Sequence, residues 1–192
     1  MLQDQADISA RAARFAELHR PGAPLVLPNP WDVGTARILA ALGFQALATT
    51  SAGLAFSLGR RDGEGAVSRD EALAHAAAIV AATDLPVFAD LENGFGDRPE
   101  DVAETIRRAG AIGLAGASIE DATGDPGSPI YDRSLAVERV AAAVETARSL
   151  GRPFVLTARS ENFLHGRPDL DDTVERLAEF EEAGADVLYA PG

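Results

Sequence analysis

Residues 149–157 read SLGRPFVLT: a helical pattern ends, one glycine follows, and an apolar run of strand-forming residues begins. The same order recurs in ALGFQALAT (41–49), RAGAIGLAG (108–116) and EAGADVLYA (182–190). A glycine just past a helix adopts the left-handed conformation that turns the chain back. Each repeat therefore predicts a helix followed by a strand, and four repeats indicate strands and helices alternating around a parallel sheet.

Six apolar runs are predicted strands, and they are apolar on both faces, as strands covered on both sides should be. They are Leu25–Leu27, Ala46–Thr49, Val87–Ala89, Gly113–Ile119, Phe154–Ala158 and Val187–Tyr189. Predicted helices begin next to a capping residue and most end at a glycine. The caps are Asp32, Ser68, Asp97, Ser134 and Asp171, and the closing glycines are Gly43, Gly110, Gly151 and Gly184.

Two architectures fit this alternation, an open doubly wound sheet and a closed (β/α)₈ barrel. A doubly wound nucleotide-binding fold should carry a glycine-rich turn after its first strand, but the sequence there is LPNPWDVG (27–34). Polar residues instead follow several successive strands, as at the C-terminal face of barrel enzymes. We therefore predict an α/β fold of the (β/α)₈ TIM barrel type. About six of the eight βα units are present, in a single domain spanning residues 1–192.

The composition excludes several classes of protein. The chain has 192 residues, of which 46% are hydrophobic, and a formal net charge of −13. Such an acidic surface repels nucleic acid and anionic lipid, and no run approaches the ~20 apolar residues of a membrane span. The absence of cysteine excludes zinc-thiolate sites and a catalytic thiol. With a polar N-terminus that lacks a signal-peptide pattern, these features predict a cytoplasmic protein without nucleic-acid or membrane partners.

Charged residues stand at the ends of successive predicted strands. Asp62 lies in the loop after the second strand, and Asp90 and Glu92 follow the third. Glu120 and Asp121 follow the fourth strand, and Arg159 and Glu161 follow the fifth. A lone D-x-E at a strand end is more often a solvated loop or a helix cap than a metal site. The recurrence on neighbouring strands favours a site, because the carboxyl ends of parallel strands meet at one face of a barrel.

The carboxylates predict a divalent cation bound by oxygen. Mg²⁺ prefers hard oxygen ligands, keeps several waters and takes one or two carboxylates together with its substrate. Asp90 is the predicted direct ligand, and Glu92, Glu120 and Asp62 are predicted to hold the metal's waters. Arg159 offers a planar fork for a substrate carboxylate.

The stretch SAGL is the remaining candidate, as a turn whose backbone N–H groups face a developing oxyanion. It contains Ser51, Ala52, Gly53 and Leu54, which are the predicted substrate-binding residues together with Arg159.

Four motifs make the sequence resemble the isocitrate lyase/phosphoenolpyruvate mutase superfamily. They are SAGL…SLGRRD (Ser51–Asp62), ADLENGFG (Ala89–Gly96), SIED (Ser118–Asp121) and TARSEN (Thr157–Asn162), in the family's order from about Leu25 to the chain end. The resemblance implies a (β/α)₈ barrel, Mg²⁺ or Mn²⁺ as cofactor, and a small α-keto or α-hydroxy carboxylate as substrate. It also implies a metal-bound enolate of a pyruvate-like acid as the common intermediate.

Carried over position by position, the resemblance implies that Asp90 binds the metal directly and that Asp62, Glu92 and Glu120 bind it through water. It also implies that Arg159 holds the substrate and that the SAGL turn binds its oxyanion and carboxylate. Arg159, Glu120 and Asp62 are the catalytic candidates.

The loop after the fourth strand departs from the family. It reads DATGDPGSPIYDRS (121–134) and has neither the cysteine of isocitrate lyases nor the Lys and Asn of the mutases. Three hypotheses therefore stay open: a lyase that breaks a C–C bond, a hydrolase or mutase that acts on a C–P bond, and a non-catalytic protein that binds a metal or keto acid. Tyr131 or water is the proton donor available to the first, and Arg133 is the nearest cation for the second.

The remaining expectations concern the chain end and single residues. Barrels of this type run to about 250 residues, so we expect the natural protein to continue past Gly192 with two more βα units. We also expect a homo-oligomer, dimer or tetramer, in which the resemblance implies exchange of a final helix. His75 is expected to be a helix-surface or packed residue, and Trp31 a core residue. His165 is expected to be an ordinary loop residue, although its place after the fifth strand would allow it to border the site.

Overall fold

The computed structural model describes residues 5–192 and is built on one parallel sheet whose strands lie side by side in chain order. The strands are β1 (Leu47–Ala48), β2 (Val87–Asp90), β3 (Gly116–Glu120), β4 (Val155–Arg159) and β5 (Val187–Tyr189). Five of the six predicted strands are confirmed, with bounds that differ from the predicted ones by at most three residues. A doubly wound sheet would reverse its strand order at a switch point, so the sequential order excludes that alternative. The five strands form a curled half-barrel.

The predicted strand Leu25–Leu27 is wrong, since this segment has no strand structure. The Ala48 N–H donates to the carbonyl of Pro28 at 3.1 Å, which ties the end of the segment to β1. Prolines at positions 24, 28 and 30 remove N–H donors that a longer ladder would need. Leu25 and Leu27 nevertheless pack on the apolar face of the sheet, so they cover it without joining it.

Seven helices occur among residues 5–192. They are α1 (Gln5–Leu18), α2 (Val33–Ala41), α3 (Ser51–Ser57), α4 (Arg69–Ala82), α5 (Pro99–Ala111), α6 (Arg133–Ser149) and α7 (Leu170–Glu182). The predicted caps of α2 and α4 are confirmed, because Asp32 and Ser68 each accept the backbone N–H three residues later. The other predicted caps are wrong by one to two residues: Arg98, Asp132 and Asp169 precede α5, α6 and α7.

Gly110 lies inside α5 rather than closing it. A Cβ at this position would come within 2.6 Å of the Leu150 side chain at the end of α6, so the glycine permits close contact between the two helices. Gly113, at φ 89°, makes the left-handed turn into the next strand instead.

The sheet is covered on both faces. Val87 and Ala89 point toward α4, α5 and α6 and form the larger apolar core with them. Phe88 points to the other face, where α1 lies and buries Phe15 completely. Full burial of a Phe side chain stabilises the fold by about 1.5–3 kcal/mol. The helix α1 thus closes one side of the half-barrel and leaves the carboxyl ends of the strands open.

No helix within residues 5–192 combines the length and the apolar character that crossing a bilayer requires.

Candidate active site

Asp90 ends β2 and is held by donors from three directions. Its Oδ2 accepts from the Ser51 N–H at 3.3 Å and the Ser51 hydroxyl at 3.1 Å. Its Oδ1 accepts from the Glu92 N–H at 3.2 Å, and its own N–H donates to Thr49 Oγ1. The carboxylate is therefore fixed at the mouth of the half-barrel, where sequence analysis places the metal ligand.

Glu92 follows in a left-handed conformation, with φ at 48°. Such a φ costs a non-glycine residue free energy and persists where the surroundings demand it. The Glu92 carbonyl accepts the Glu120 N–H at 3.0 Å, which brings the ends of β2 and β3 together. Burial, and then repulsion from Asp90 and Asp62, raise the pKa of Glu92 to about 7.

Glu120, at the end of β3, is likewise buried close to other carboxylates. Burial, and then repulsion from Asp90 and Glu161, hold the pKa of Glu120 well above its usual range. Asp62 lies in an exposed loop, yet burial of its carboxylate and repulsion from Asp90 raise its pKa against a lowering contact from Ser51. All four predicted carboxylates therefore act on one another, and the local charge favours an added cation.

Arg159 ends β4 and inserts its guanidinium among these acids. Its Nη1 lies 3.3 Å from Asp90 Oδ2, and its Nη2 lies 3.7 Å from Glu120 Oε2. Nε and Nη2 both donate to Glu161 Oε1, at 2.9 and 2.7 Å. The guanidinium also lies 5.4 Å from the ring centre of Tyr189. Glu161 thus fixes one edge of Arg159 while the other edge faces the site.

Sequence analysis placed Glu161 at this mouth without a chemical role, and it missed Tyr189. The Glu161 side chain is buried against Arg159. Sequence analysis treated Tyr189 only as a residue of the last strand. In the structure, Arg159 of β4 and Tyr189 of β5 are paired and therefore lie side by side. The register between β4 and β5 would identify Tyr189 as a neighbour of Arg159, but that register can be used only when the two strands are known to be adjacent.

The site fits a metal ion that is bound mostly through water. Within residues 5–192, no three His, Asp or Glu side chains come close enough together to enclose a metal directly. Mg²⁺ does not require such a cage, because it keeps several waters and takes one or two carboxylates. The donors present are carboxylate oxygens, which suit Mg²⁺ or Mn²⁺. Burial, and then repulsion from neighbouring acids, raise the pKa values of Glu92 and Glu120.

The expectation that SAGL is a turn is wrong, because Ser51–Leu54 form the first turn of α3. The Gly53 N–H donates to Thr50 Oγ1 at 3.3 Å and the Leu54 N–H to the Thr50 carbonyl at 3.1 Å. Across the described residues 5–192, Ala52 is the member of this stretch whose N–H has no partner. Leu54 is buried in an apolar cluster, so its side chain does not reach the site.

The glycine of this stretch has a packing role. A Cβ on Gly53 would lie 2.6 Å from Trp31 Cδ1, so the indole rests directly on α3. Trp31 is 48% exposed and is not the core residue that we expected. His75 Nε2 lies 2.9 Å from the carbonyl oxygen of Trp31. This contact confirms His75 as a packed helix-surface residue.

The loop after β2 is clamped by side chains from three helices. Arg139 of α6, which is only 1% exposed, donates to the carbonyls of Asn93, Gly96 and Asp97. Arg69 of α4 donates to the Phe95 carbonyl at 3.0 Å, and Thr105 of α5 donates to the Gly94 carbonyl at 2.6 Å. The glycines therefore do not make the loop mobile, and its shape is set by the surrounding helices.

The loop after β3 folds back on itself through an isolated bridge between Ala122 and Ile130. Tyr131 at its end is buried and donates its hydroxyl to Asp97 Oδ1 at 2.6 Å, and burial and this bond raise its pKa to about 12. Its ring is stacked under Arg139 and lines neither cavity at the site. The structure therefore does not support Tyr131 as the proton donor.

Arg133, the cation expected to serve a C–P bond reaction, also lies elsewhere. It pairs with Glu175 and Glu179 on α7. A buried ion pair between Asp121 and Arg176 joins the same region, with Arg176 Nη1 3.3 Å from Asp121 Oδ2. Asp121 of the SIED motif is thus a structural residue, whereas its neighbour Glu120 faces the site.

The carboxylate cluster separates two cavities. The larger, of about 590 Å³, has Glu92 and Glu120 in its wall. The smaller, of about 340 Å³, lies inside the half-barrel and has Asp90 and Arg159 in its wall. His165, which we expected to be an ordinary loop residue, lines the larger cavity from the loop after β4.

Known proteins share this fold and are similar in sequence. The family model described as phosphoenolpyruvate phosphomutase matches residues 15–192. The crystal structure of a candidate lyase or mutase from Burkholderia cenocepacia J2315 is 60% identical, with a TM-score of 0.94 over 98% of this chain and 66% of that chain. The 2,3-dimethylmalate lyase of Eubacterium barkeri is 32% identical over 185 residues, covering 93% of this chain and 62% of the relative.

A more distant structure shows the fold alone. Phosphonopyruvate hydrolase, crystallised with oxalate and Mg²⁺, is 23% identical, with a TM-score of 0.82 over 97% of this chain and 62% of that chain. The chain spans a little under two thirds of the length of these relatives. Because the family model matches nearly all of its residues, the chain belongs to the phosphoenolpyruvate mutase/isocitrate lyase superfamily, whose named members include lyases and mutases.

Proposed function

We propose that the protein is a Mg²⁺-dependent (or Mn²⁺-dependent) lyase that breaks a C–C bond in a small α-keto or α-hydroxy carboxylate through a pyruvate-type enolate. The observation that carries this proposal is Arg159, which lies beside Asp90, Glu120 and Glu161 at the open ends of the strands. A cation-binding carboxylate cluster next to a fixed guanidinium suits a substrate that presents a carboxylate and a neighbouring carbonyl oxygen.

The residues of this chain would share the work as follows. Asp90 would touch the metal, and Asp62, Glu92 and Glu120 would hold its waters. Bound there, the metal supplies positive charge that stabilises negative charge developing on the substrate oxygen. Arg159 binds the substrate carboxylate with the edge that now faces Asp90 and Glu120, and Glu161 orients it. The Ala52 N–H is the donor that α3 leaves for a substrate oxygen.

The two other hypotheses are less well supported by the same geometry. A reaction at a C–P bond would gain from a cation on the loop after β3, but Arg133 is paired with α7. A non-catalytic remnant has no reason to keep four mutually repelling carboxylates together, because that arrangement costs stability.

The wider organisation is part of the proposal. The curled half-barrel, with its strands in chain order, supports a closed (β/α)₈ barrel in the whole protein. Exposed apolar side chains on α2 and α3, including Ile38 at 60% and Phe56 at 55% exposure, support a homo-oligomer. We place this protein in the cytoplasm, acting on a small-molecule acid without nucleic-acid or membrane partners.

A substrate screen tests the activity. Purified protein is assayed with oxaloacetate, methylisocitrate, 2,3-dimethylmalate, citramalate-type acids and phosphonopyruvate, with Mg²⁺ and with EDTA. We expect cleavage of one C–C substrate that EDTA abolishes, and tight Mg²⁺-dependent binding of oxalate as an enolate mimic. Cleavage of phosphonopyruvate alone would support the C–P hypothesis. If the protein shows no turnover of any substrate and no binding of oxalate, both enzymatic hypotheses are refuted.

The variant Arg159→Lys ties that activity to the site. Lysine keeps the charge but loses the planar fork, and a hydrogen bond to a charged group contributes about 1.5–3 kcal/mol. We expect kcat/KM to fall by about tenfold to hundredfold. Arg107→Lys, an exposed pair with Glu104 on α5, is the matched control and should change little. Equal kinetics for Arg159→Lys and wild type would contradict the assignment.

A further inference from the structure

The larger cavity has a wall that the proposed function does not yet use. Besides the carboxylates Glu92 and Glu120, it is lined by Thr123 and Gly124 of the loop after β3 and by His165 of the loop after β4. The His165 N–H donates to the Glu161 carbonyl at 3.2 Å. His165 is thus bonded directly to the residue that orients Arg159, and it lines the same cavity as Glu92 and Glu120.

The three histidines of the chain differ in how their rings are engaged. His19 Nδ1 lies 2.9 Å from the Phe15 carbonyl, and His75 Nε2 lies 2.9 Å from the Trp31 carbonyl. The His165 ring has no hydrogen-bond partner within residues 5–192. An imidazole with both nitrogens available can accept and deliver a proton near neutral pH.

The other groups that sequence analysis considered for proton transfer are committed elsewhere. Tyr131 donates to Asp97 and lines neither cavity. The sequence contains no cysteine, and Arg133 pairs with α7. Among the described residues of this cavity wall, His165 therefore remains as a proton-transfer candidate besides the carboxylates Glu92 and Glu120, which the proposed function assigns to the metal's waters.

We propose that His165 is the proton donor to the enolate carbon, a role that rests on the proposed lyase function. In the cleavage direction, a base removes the hydroxyl proton of the substrate and the C–C bond breaks. The electron pair of that bond moves to the leaving carbon and forms the enolate. The His165 imidazolium then transfers one proton to that carbon and becomes neutral, and solvent restores its proton. One proton leaves oxygen and one arrives on carbon, so the step balances without an oxidant or reductant.

Charged groups around the cavity set the conditions for this transfer. Glu92 and Glu120 face it from the ends of β2 and β3, and Arg69, Asp70 and Arg108 face it from α4 and α5. Arg167 and Asp169 lie further along the His165 loop. Arg108 is paired with Asp70 at 2.6 Å, and Arg69 is bound to backbone carbonyls.

The experiment compares wild type, His165→Gln, His165→Asn and the control His75→Gln. The assays are the substrate screen, oxalate binding with Mg²⁺, the pH dependence of kcat, and exchange of pyruvate methyl protons in D₂O. General acid catalysis contributes about 10²- to 10⁴-fold, so we expect both His165 variants to lose at least hundredfold in kcat and in proton exchange. Oxalate affinity should stay within about threefold, and the limb of the pH profile that reports the acid should disappear.

The outcomes separate this proposal from the proposed function. If wild type cleaves its substrate but both His165 variants keep kcat within threefold and retain the same pH profile, His165 is not the donor. A parallel loss of oxalate binding, or of thermal stability measured by circular dichroism, would also overturn the assignment, because the residue would then be structural. If wild type neither turns over nor binds oxalate, the lyase function fails and this proposal fails with it.

Discussion

Replacing Glu92 by Gln removes a charge that the folded, cation-free site holds at a cost. Burial, and then repulsion from Asp90 and Asp62, raise the pKa of Glu92 from 4.5 to about 7. The folded state therefore binds this proton more tightly than the unfolded state. The cost is absent well below pH 4.5, where both states are protonated, grows between pH 4.5 and 7, and is complete above pH 7.

The size of the effect follows from the difference of about 2.5 pH units, which corresponds to ~3.4 kcal/mol at 1.36 kcal/mol per unit. Glu92 is only half-buried, so solvent screens part of the repulsion. We expect the variant to be more stable than wild type by about 1–2 kcal/mol at pH 8 in EDTA. At pH 5 the linkage relation leaves about a quarter of that gain.

Urea unfolding at both pH values, with EDTA or with Mg²⁺, measures these differences. Saturating Mg²⁺ should stabilise wild type more than the variant, because the cation neutralises the charge that the variant lacks. The control is Glu104→Gln on α5, where a hydrogen bond from Arg107 lowers the pKa of Glu104, so this variant should not gain stability at pH 8. A Glu92→Gln protein no more stable than wild type at pH 8, or a gain that is the same at pH 5, would refute the reasoning.

Three further predictions concern packing and the loops. In Gly116→Ala the new Cβ would lie 2.4 Å from the Val155 carbonyl oxygen in the adjacent strand, so urea unfolding should show a loss of about 1–3 kcal/mol; Gly127→Ala, with 3.3 Å to its nearest neighbour, should be tolerated. Tyr131→Phe should lose ~1 kcal/mol of stability with the hydrogen bond to Asp97, and its kcat should stay within twofold, whereas a tenfold fall would make Tyr131 the donor. Arg139→Met leaves three loop carbonyls unpaired at about 1–3 kcal/mol each, so urea unfolding should show a loss of several kcal/mol, and KM should rise more than in the surface variant Arg107→Met.

The parts of the fold that could be predicted from sequence are those set by local patterns. A strand begins within each of the four repeats in which a glycine precedes an apolar run, at residues 41–49, 108–116, 149–157 and 182–190. In the second repeat the strand β3 begins only at Gly116, because Gly110 still belongs to α5. The strand prediction at Leu25–Leu27 was wrong because it rested on composition, which suits a strand. The prolines beside the segment lack the N–H groups that pairing with a neighbouring strand requires. Composition is visible in a short window, but pairing depends on which backbone groups remain free.

The candidate site shows the same division. Asp90, Glu92, Glu120 and Arg159 could be predicted to lie together because each sits at or just past a strand end, and the parallel order brings strand ends together. The parts that were missed depend on contacts between distant residues. Arg139 had no role in the sequence analysis, yet its guanidinium is buried and donates to the carbonyl of Gly96, 43 positions away.

The clamp on the loop after β2 has a consequence for how this site tolerates sequence change. Arg69, Thr105 and Arg139 bind carbonyl oxygens, which every residue possesses, rather than the loop's own side chains. The information that shapes this loop is therefore stored in three helices outside it. We expect substitutions of loop side chains that make no contact with the cluster to leave the position of Glu92 unchanged, whereas substitutions of Arg69, Thr105 or Arg139 should shift it.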